Sequence, residues 1–407
     1  MAMKKLGKLI YLGPAVIVSV AYIDPGNFGS NIAAGSNYGL KLLWVVWISG
    51  LMAILFQYIS GKLGLINITI PEYVFNYFRG RRYSRVFSFL YFLGLFIAVL
   101  ATDMAEFLGI ALGLHLLLGI PLFTAIWVSM IDIFILLLFA DESTKLEKII
   151  GTLVAIVGLS YVFELYIVRI DPMEILTNSF RINLSSGGEA LIATSIIGAT
   201  VMPHAVLLHS YLTRDKWLGS RNLKDVLKRH AKETLIYLSV ASLINAALQV
   251  MSYYAFYRNG VFNIDSMEVA YKTLIPFYGE SASIIFGIAI LASGISSSLV
   301  SVLSGVYLIE SYVGRHLPEW IVRLFARIIN IIPLAIAIYL GLKTIDILVY
   351  SQAVLSMTLP LILIPLILIS GKPGIMGSLV NRRLTTFIAS ISTMMIILIN
   401  LSLPFLG

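Results

Sequence analysis

The sequence contains no cysteine among its 407 residues. Disulfides, thiolate metal ligands and thiol nucleophiles are therefore excluded. Charged residues are also scarce, since they make up 12% of the chain while hydrophobic residues make up 59%. A soluble core could not bury that much apolar surface, so the composition indicates a polytopic membrane protein.

The hydrophobic residues form runs that are long enough to cross a bilayer. A helix needs about 20 mostly apolar residues to cross about 30 Å of hydrocarbon, and the alternating pattern of barrel strands is missing. We therefore expect an all-α membrane protein with eleven spans and no sizeable soluble domain. The predicted spans are 10–36, 40–61, 86–113, 119–139, 147–168, 189–212, 232–256, 281–312, 322–341, 344–370 and 385–405.

The basic residues predict the orientation of these spans. With the N-terminus inside, the inner segments carry 23 of the 29 lysines and arginines, and the outer segments carry 6. Because cytoplasmic loops are enriched in these residues, we expect a cytoplasmic N-terminus and an outer C-terminus. This distribution accounts for the net charge of +8 without a nucleic-acid partner. We interpret the first run as a retained span rather than a cleaved signal peptide.

Two of the predicted spans are interrupted by proline and polar residues. Span one contains Asp24-Pro25-Gly26-Asn27 and span six contains Met202-Pro203-His204, and the two prolines are 178 positions apart. Five spans per half is an odd number, so the second half enters the membrane in the opposite sense. We therefore predict one transport domain, 1–407, with inverted repeats at about 10–168 and 189–370 and an extra helix at about 385–405.

The interruptions favour a cation site near the middle of the membrane. Each proline removes a backbone donor, so the carbonyls near Ala21 and Ala199 lose their helical partners. A freed carbonyl inside a membrane needs a cation or a polar cavity. Asp24 and Asn27 add a carboxylate and an amide oxygen at the first break.

Met202 indicates which cation this site prefers. A thioether contributes little to Mg²⁺ or Ca²⁺, which favour oxygen ligands, but it can bind softer divalent metals. The ligand set therefore suits Mn²⁺, Fe²⁺, Co²⁺ or Cd²⁺. The alternative is that Met202 only fills the core; its place beside the second break favours the ligand role.

Further motifs accompany the two breaks. The residues concerned are Asp24-Pro25-Gly26-Asn27, Gln57, Thr102-Asp103-Met104-Ala105-Glu106, Met202-Pro203-His204, Leu208-His209-Ser210 and Ser351-Gln352. Together they resemble the Nramp family of proton-coupled divalent metal transporters, and the resemblance covers nearly the whole chain.

The resemblance implies an inverted-repeat fold of the leucine-transporter type. It implies a secondary active transporter that imports Mn²⁺, Fe²⁺, Cd²⁺ or Co²⁺ with protons by alternating access. We expect it in the plasma (inner) membrane of a prokaryote and without a cofactor. The sequence does not determine the number of subunits. The implied metal ligands are Asp24, Asn27, Met202, the carbonyls of Ala21 and Ala199, and, in an occluded state, Gln352.

Titratable side chains near the breaks are candidates for the proton pathway. Asp103 and Glu106 are three residues apart and share a helical face, where two carboxylates are not expected both to be ionised. The alternative interpretation of these two carboxylates is a structural network with the arginines of span nine. His204 is a candidate relay or, alternatively, a satisfied core histidine. The predicted pathway residues are Asp24, His204, Asp103, Glu106, Arg323 and Arg327.

Other polar residues of the spans are interpreted as packing contacts between helices. They are Asp132 in span four, Glu164 in span five, Asn245 and Gln249 in span seven and Glu310 in span eight. The serines of span eight are interpreted as permitting close approach of helices; they are Ser293, Ser296, Ser297, Ser298 and Ser301.

Three other functions fit these residues less well. An enzyme is not expected, because the chain has no thiol nucleophile and no His-Glu-x-x-His motif. In an amino-acid carrier with the same fold, Asp24 would repel the substrate carboxylate. In a carrier of Mg²⁺ or another hard ion, Met202 would contribute little.

Overall fold

The computed structural model describes residues 13–130, 143–168, 170–217, 222–315 and 319–403. The described part is built from helices joined by short loops. In chain order the helices are α1 (Pro14–Ala21), α2 (Pro25–Tyr38), α3 (Leu43–Gly64), α4 (Ile70–Phe78), α5 (Ser84–Leu118), α6 (Leu122–Val128), α7 (Ser143–Val168), α8 (Pro172–Ser179), α9 (Gly187–Val201), α10 (Pro203–Trp217), α11 (Leu223–Ala255), α12 (Met267–Tyr278), α13 (Glu280–Val313), α14 (Glu319–Tyr339), α15 (Thr344–Ser370), α16 (Pro373–Met376) and α17 (Arg383–Ser402).

These helices confirm the predicted all-α membrane class. In the described ranges, seven stretches of helix are long and apolar enough to cross a membrane. They are α3, α5, α9 with α10, α11, α13, α15 and α17. The other predicted spans contain α1 with α2, α6, α7 and α14. Parts of the first and fourth predicted spans, residues 10–12 and 131–139, lie outside the described residues.

The first span breaks between α1 and α2, as predicted. The amides of Tyr22 and Ile23 close tight turns onto carbonyls three residues earlier, which ends α1. Asp24 is extended, with φ −88° and ψ 165°, because the residue before a proline is disfavoured in the helical region. Its carboxylate then caps α2 by accepting a hydrogen bond of 2.7 Å from the Asn27 amide.

The sixth span breaks at Met202, between α9 and α10. Met202 has φ +45°, in the left-handed region that a residue with a side chain rarely adopts. Pro203 follows and begins α10. Strained backbone of this kind persists where the surrounding structure fixes it, and it is often found at functional sites.

The helices that follow enclose both breaks. Helix α11 packs against α1, α2 and α3, and α13 packs along α5 and contacts α1 and α2. Helix α15 packs against α2, α5 and α9. The unwound residues therefore lie inside the bundle, away from the lipid-facing surface.

Candidate functional site

Asn27 connects the two helix breaks. Its Nδ2 donates a hydrogen bond of 2.8 Å to Oδ1 of Asp24 and another of 2.8 Å to the carbonyl of Ala199. The hydroxyl of Thr200 lies 3.4 Å from Oδ1 of Asn27. Asp24, Asn27 and the Ala199 carbonyl are therefore in one polar cluster, although 172 residues separate Asn27 from Ala199.

Several oxygens at this cluster lack their usual partners. Oδ2 of Asp24 and Oε1 of Gln352 are buried and have no hydrogen-bond partner among the described residues. The residues four positions after Ala21 and Ala199 are prolines, which supply no N–H to those two carbonyls. Unpaired buried oxygens are costly unless something satisfies them, and a cation can do so.

Gln352 lies against both breaks. A Cβ atom added at Gly26 would overlap the side-chain amide of Gln352, and one added at Gly198 would overlap its main-chain carbonyl oxygen. The absence of a side chain at these two positions lets α15 approach the broken spans closely. The structure thus brings Gln352 to the cluster that contains Asp24 and Asn27.

The remaining predicted ligands are part of the same two breaks. Ala21 is the last residue of α1 and Met202 directly follows α9, and both are fully buried. Within the described ranges, no group of three or more His, Cys, Asp or Glu side chains is placed to hold a metal. A metal at the breaks would therefore have one carboxylate and otherwise rely on carbonyl, amide and thioether ligands.

The cluster is closed on both sides in this conformation. Asp24, Asn27, Met202 and Gln352 each have 0% exposure. On the side of α2 and α9, the hydroxyls of Ser30 and Ser195 are in hydrogen-bond contact.

A chain of side chains lies on the side of α1 and α10. Nε2 of Gln57 donates to the Tyr22 hydroxyl at 2.7 Å, and Oε1 of Gln57 lies 2.8 Å from Nδ1 of His209. These contacts join α3 to the residue after α1 and to α10. They close the second side of the site.

Cavities lie beyond each of these closures. One of about 280 Å³ lies between α2, α9 and α15 and is lined by residues that include Ala33, Leu191 and Val349. Another, of about 340 Å³, lies between α4, α10 and α13. Its lining includes the ion pair of Arg214 and Glu72, whose nearest atoms are 2.9 Å apart.

Two polar residues support the unwound part of the first break. Nδ2 of Asn245 donates to the Tyr22 carbonyl at 2.9 Å, and the Ser293 hydroxyl donates to the Ile23 carbonyl at 2.5 Å. The interpretation of Asn245 and Ser293 as packing contacts is therefore incomplete. The sequence shows that they are polar residues within spans, but it carries no signal for which carbonyl they meet.

The predicted proton-pathway residues on α5 form a second polar cluster. The Ser301 hydroxyl donates to Oε2 of Glu106 and lies 3.2 Å from Oδ1 of Asp103. Nδ2 of Asn330 donates to Oδ2 of Asp103 at 2.6 Å. The predicted shared face of the two carboxylates is confirmed, whereas the roles of Ser301 and Asn330 were missed.

His204 connects the second break to α5. Its Nδ1 lies 3.0 Å from Oγ1 of Thr102, the residue before Asp103. Its Nε2 is buried and has no partner in the part of the chain that the structure describes. The side chains of Arg323 and Arg327, also predicted for the pathway, lie outside the described residues.

The described helices define an all-α membrane protein with a fold of the leucine-transporter type. The structure resembles that of MhsT in complex with L-phenylalanine with a TM-score of 0.61, and the match covers 96% of this chain and 99% of that one. At 14% identity this likeness concerns the fold alone.

A family model described as natural resistance-associated macrophage protein-like (Nramp) matches residues 15–405. The divalent metal cation transporter MntH of Granulibacter bethesdensis is 39% identical over 403 residues, which are 97% of this chain and 88% of that protein. A structure of the manganese transporter of Eremococcus coleocola has a TM-score of 0.85 at 27% identity and covers 96% of this chain and 85% of that one. The chain therefore belongs to the Nramp family, which is a transporter family and not an enzyme family.

The close approach of Gly198 to Gln352 predicts the effect of Gly198→Ala. The added Cβ meets main-chain atoms of α15, which cannot rotate away, and overpacking of this kind costs about 1–3 kcal/mol. We expect Mn²⁺ binding, measured by isothermal titration calorimetry, to weaken about tenfold. In the control Gly158→Ala, the Cβ meets only Cδ1 of Ile244 at 3.6 Å, and parental binding is expected. Equal Mn²⁺ binding by both variants would contradict a role for the close approach of Gly198 to Gln352 in the metal site.

Proposed function

We propose that this chain imports divalent transition-metal ions together with protons by alternating access. The observation that carries this proposal is the contact of the two breaks through Asn27, beside a buried oxygen of Asp24 that has no hydrogen-bond partner among the described residues. The name of the relative from Granulibacter bethesdensis, a divalent metal cation transporter, supports the substrate class. The name of the manganese transporter from Eremococcus coleocola supports Mn²⁺ as one substrate.

Asp24 supplies the negative charge of the proposed metal site. Asn27 supplies an amide oxygen once its Nδ2 no longer donates to Asp24, and the carbonyls of Ala21 and Ala199 supply two neutral oxygens. Met202 supplies a sulfur, which favours Mn²⁺, Fe²⁺, Co²⁺ and Cd²⁺ over Mg²⁺ and Ca²⁺. Gln352 completes the ligands in the closed state, since α15 lies directly against both breaks.

Alternating access then requires the two closures to open in turn. Separation of Ser30 from Ser195 would connect the site to the cavity between α2, α9 and α15. Separation of Tyr22 from Gln57 would release α1 on the opposite side. The membrane potential would drive a dication inward from the first side to the second.

The proton is proposed to leave the site through His204 and the carboxylates of α5. His204 follows Pro203, and its Nδ1 lies 3.0 Å from Oγ1 of Thr102, the residue before Asp103. Ser301 joins Asp103 to Glu106. Arg323 and Arg327 are proposed to complete this route.

We further propose that the protein lies in the cell membrane of a prokaryote with its N-terminus in the cytoplasm. The excess of lysine and arginine in the predicted inner segments supports this orientation. Under this orientation the cavity between α2, α9 and α15 faces the outside and the one between α4, α10 and α13 faces the cytoplasm.

A metal panel in proteoliposomes tests the substrate class. We expect uptake of Mn²⁺ and Cd²⁺ with little uptake of Mg²⁺ or Ca²⁺, and Asp24→Ala should abolish uptake because it removes the carboxylate of the proposed metal site. Glu280→Gln, at an exposed position at the start of α13, is the control and should transport like the parent. Parental uptake by Asp24→Ala would contradict the proposed metal site at the two helix breaks.

The sulfur of Met202 is tested by Met202→Leu, which keeps most of the side-chain volume, and by Met202→Ala. We expect both variants to bind Cd²⁺ about tenfold more weakly, which corresponds to about 1.4 kcal/mol, and to discriminate less against Ca²⁺. Competition binding of the two ions provides the measurement. An unchanged preference for Cd²⁺ over Ca²⁺ in Met202→Leu would contradict the assignment of the thioether as a ligand.

Proton coupling is tested by a pH dye trapped inside the liposomes. Metal entry should acidify the lumen, and Glu106→Gln should lower the number of protons that accompany each metal ion, because it removes a titratable group from the route. Metal flux by the parent protein without any change in lumen pH would indicate a uniporter.

A further inference from the structure

Helix α15, which carries Gln352, contains Pro360 in its interior. Pro360 stands four residues after Ser356, so the Ser356 carbonyl has no N–H at the position that a regular helix would use. Within a bilayer such a carbonyl needs a donor from a neighbouring segment.

Asn400 of α17 supplies this donor. Its Nδ2 donates a hydrogen bond of 2.9 Å to the Ser356 carbonyl, and the Ser356 hydroxyl donates one of 2.8 Å to Oδ1 of Asn400. Both ends of the amide are therefore bonded to the same residue of α15. This reciprocal pair of hydrogen bonds is called the Asn400–Ser356 clamp below.

The clamp lies one helical turn from Gln352. Gly198 of α9 packs against the same turn, since a Cβ there would overlap the Gln352 carbonyl oxygen and lie 2.8 Å from the Ser356 nitrogen. Helix α17 packs against α15 and also contacts α9 and α3. A displacement of α15 at Ser356 would therefore move Gln352 relative to both helix breaks.

We propose that Asn400 is a positioning residue for transport, which replaces the hydrogen-bond donor lost at Pro360 and so fixes Gln352 against Gly26 and Gly198. The inference rests on the proposed role of Gln352 as a ligand in the closed state. It assigns a function to α17, the helix outside the two predicted repeats. Asn400 acts through α15 and is itself no ligand, because both polar atoms of its amide bond to Ser356.

A double-mutant cycle with Pro360 tests this mechanism. Asn400→Ala should lower the maximal rate of Mn²⁺ uptake about fivefold, as expected for two interhelical hydrogen bonds, at equal amounts of protein in the liposomes. Pro360→Ala restores an N–H to the helix, so in that background Asn400→Ala should leave the maximal rate of Mn²⁺ uptake almost unchanged. The same fold-loss in both backgrounds, or no loss in the parent background, would overturn the proposal.

Two variants of α17 separate positioning from a general loss of stability. Asn400→Asp keeps the acceptor for the Ser356 hydroxyl but loses the donor, and it should behave like Asn400→Ala. Thr393→Ala on α17 is the matched control, because the Thr393 hydroxyl bonds to the Ala389 carbonyl of its own helix at 2.9 Å, and it should transport like the parent. A loss in Thr393→Ala as large as in Asn400→Ala would point to α17 packing alone and contradict the clamp.

The Gln352→Ala variant distinguishes failure of this inference from failure of the proposed function. If Asn400 acts through Gln352, adding Asn400→Ala to the Gln352→Ala variant should lower its maximal rate of Mn²⁺ uptake very little further. Parental transport by Gln352→Ala would refute the ligand role of Gln352 and with it the positioning role of Asn400. An impaired Gln352→Ala combined with a fully additive Asn400→Ala would leave the metal site intact and overturn the positioning role only.

Discussion

The central constraint on this structure is that a carbonyl within a membrane needs a donor or a cation, and proline removes the helical donor. Pro25, Pro203 and Pro360 impose this constraint on the carbonyls of Ala21, Ala199 and Ser356, each four residues before its proline. The Ala199 carbonyl accepts from Asn27, and the Ser356 carbonyl accepts from Asn400. At the first two positions the freed oxygens belong to the proposed metal site, whereas at the third a neighbouring helix satisfies the oxygen and fixes the position of α15.

This arrangement explains how one site can be both polar and stable inside a membrane. The unwound residues after α1 are held by donors from α11 and α13, so the break stays open without exposing carbonyls to lipid. Asp24 accepts the capping hydrogen bond from the backbone N–H of Asn27 with one carboxylate oxygen, and its other oxygen has no partner among the described residues. A bound dication would satisfy that second oxygen, which couples occupancy of the site to the order of both breaks.

The positions of the breaks and most of the span limits could be predicted from the sequence, because proline chemistry and hydrophobic length are local properties of the chain. The partners of the polar side chains could not be predicted. Asn245 meets a carbonyl 223 residues away and Ser293 one 270 residues away, and helix rotation and packing decide such contacts. Ser301 and Asn330 were missed for the same reason, since a serine or asparagine within a span can face any of several neighbours. The placement of Gln352 rested on family resemblance, and its close contacts with Gly26 and Gly198 are visible only in three dimensions.

The most direct measurement of the central claim is the position of a bound metal, determined by anomalous X-ray diffraction from crystals of the protein soaked in Mn²⁺. We expect one strong anomalous peak between Asp24, Asn27, the Ala199 carbonyl and Met202, with Asn27 rotated to present its oxygen. A peak in either flanking cavity, with none at the breaks, would contradict the central claim.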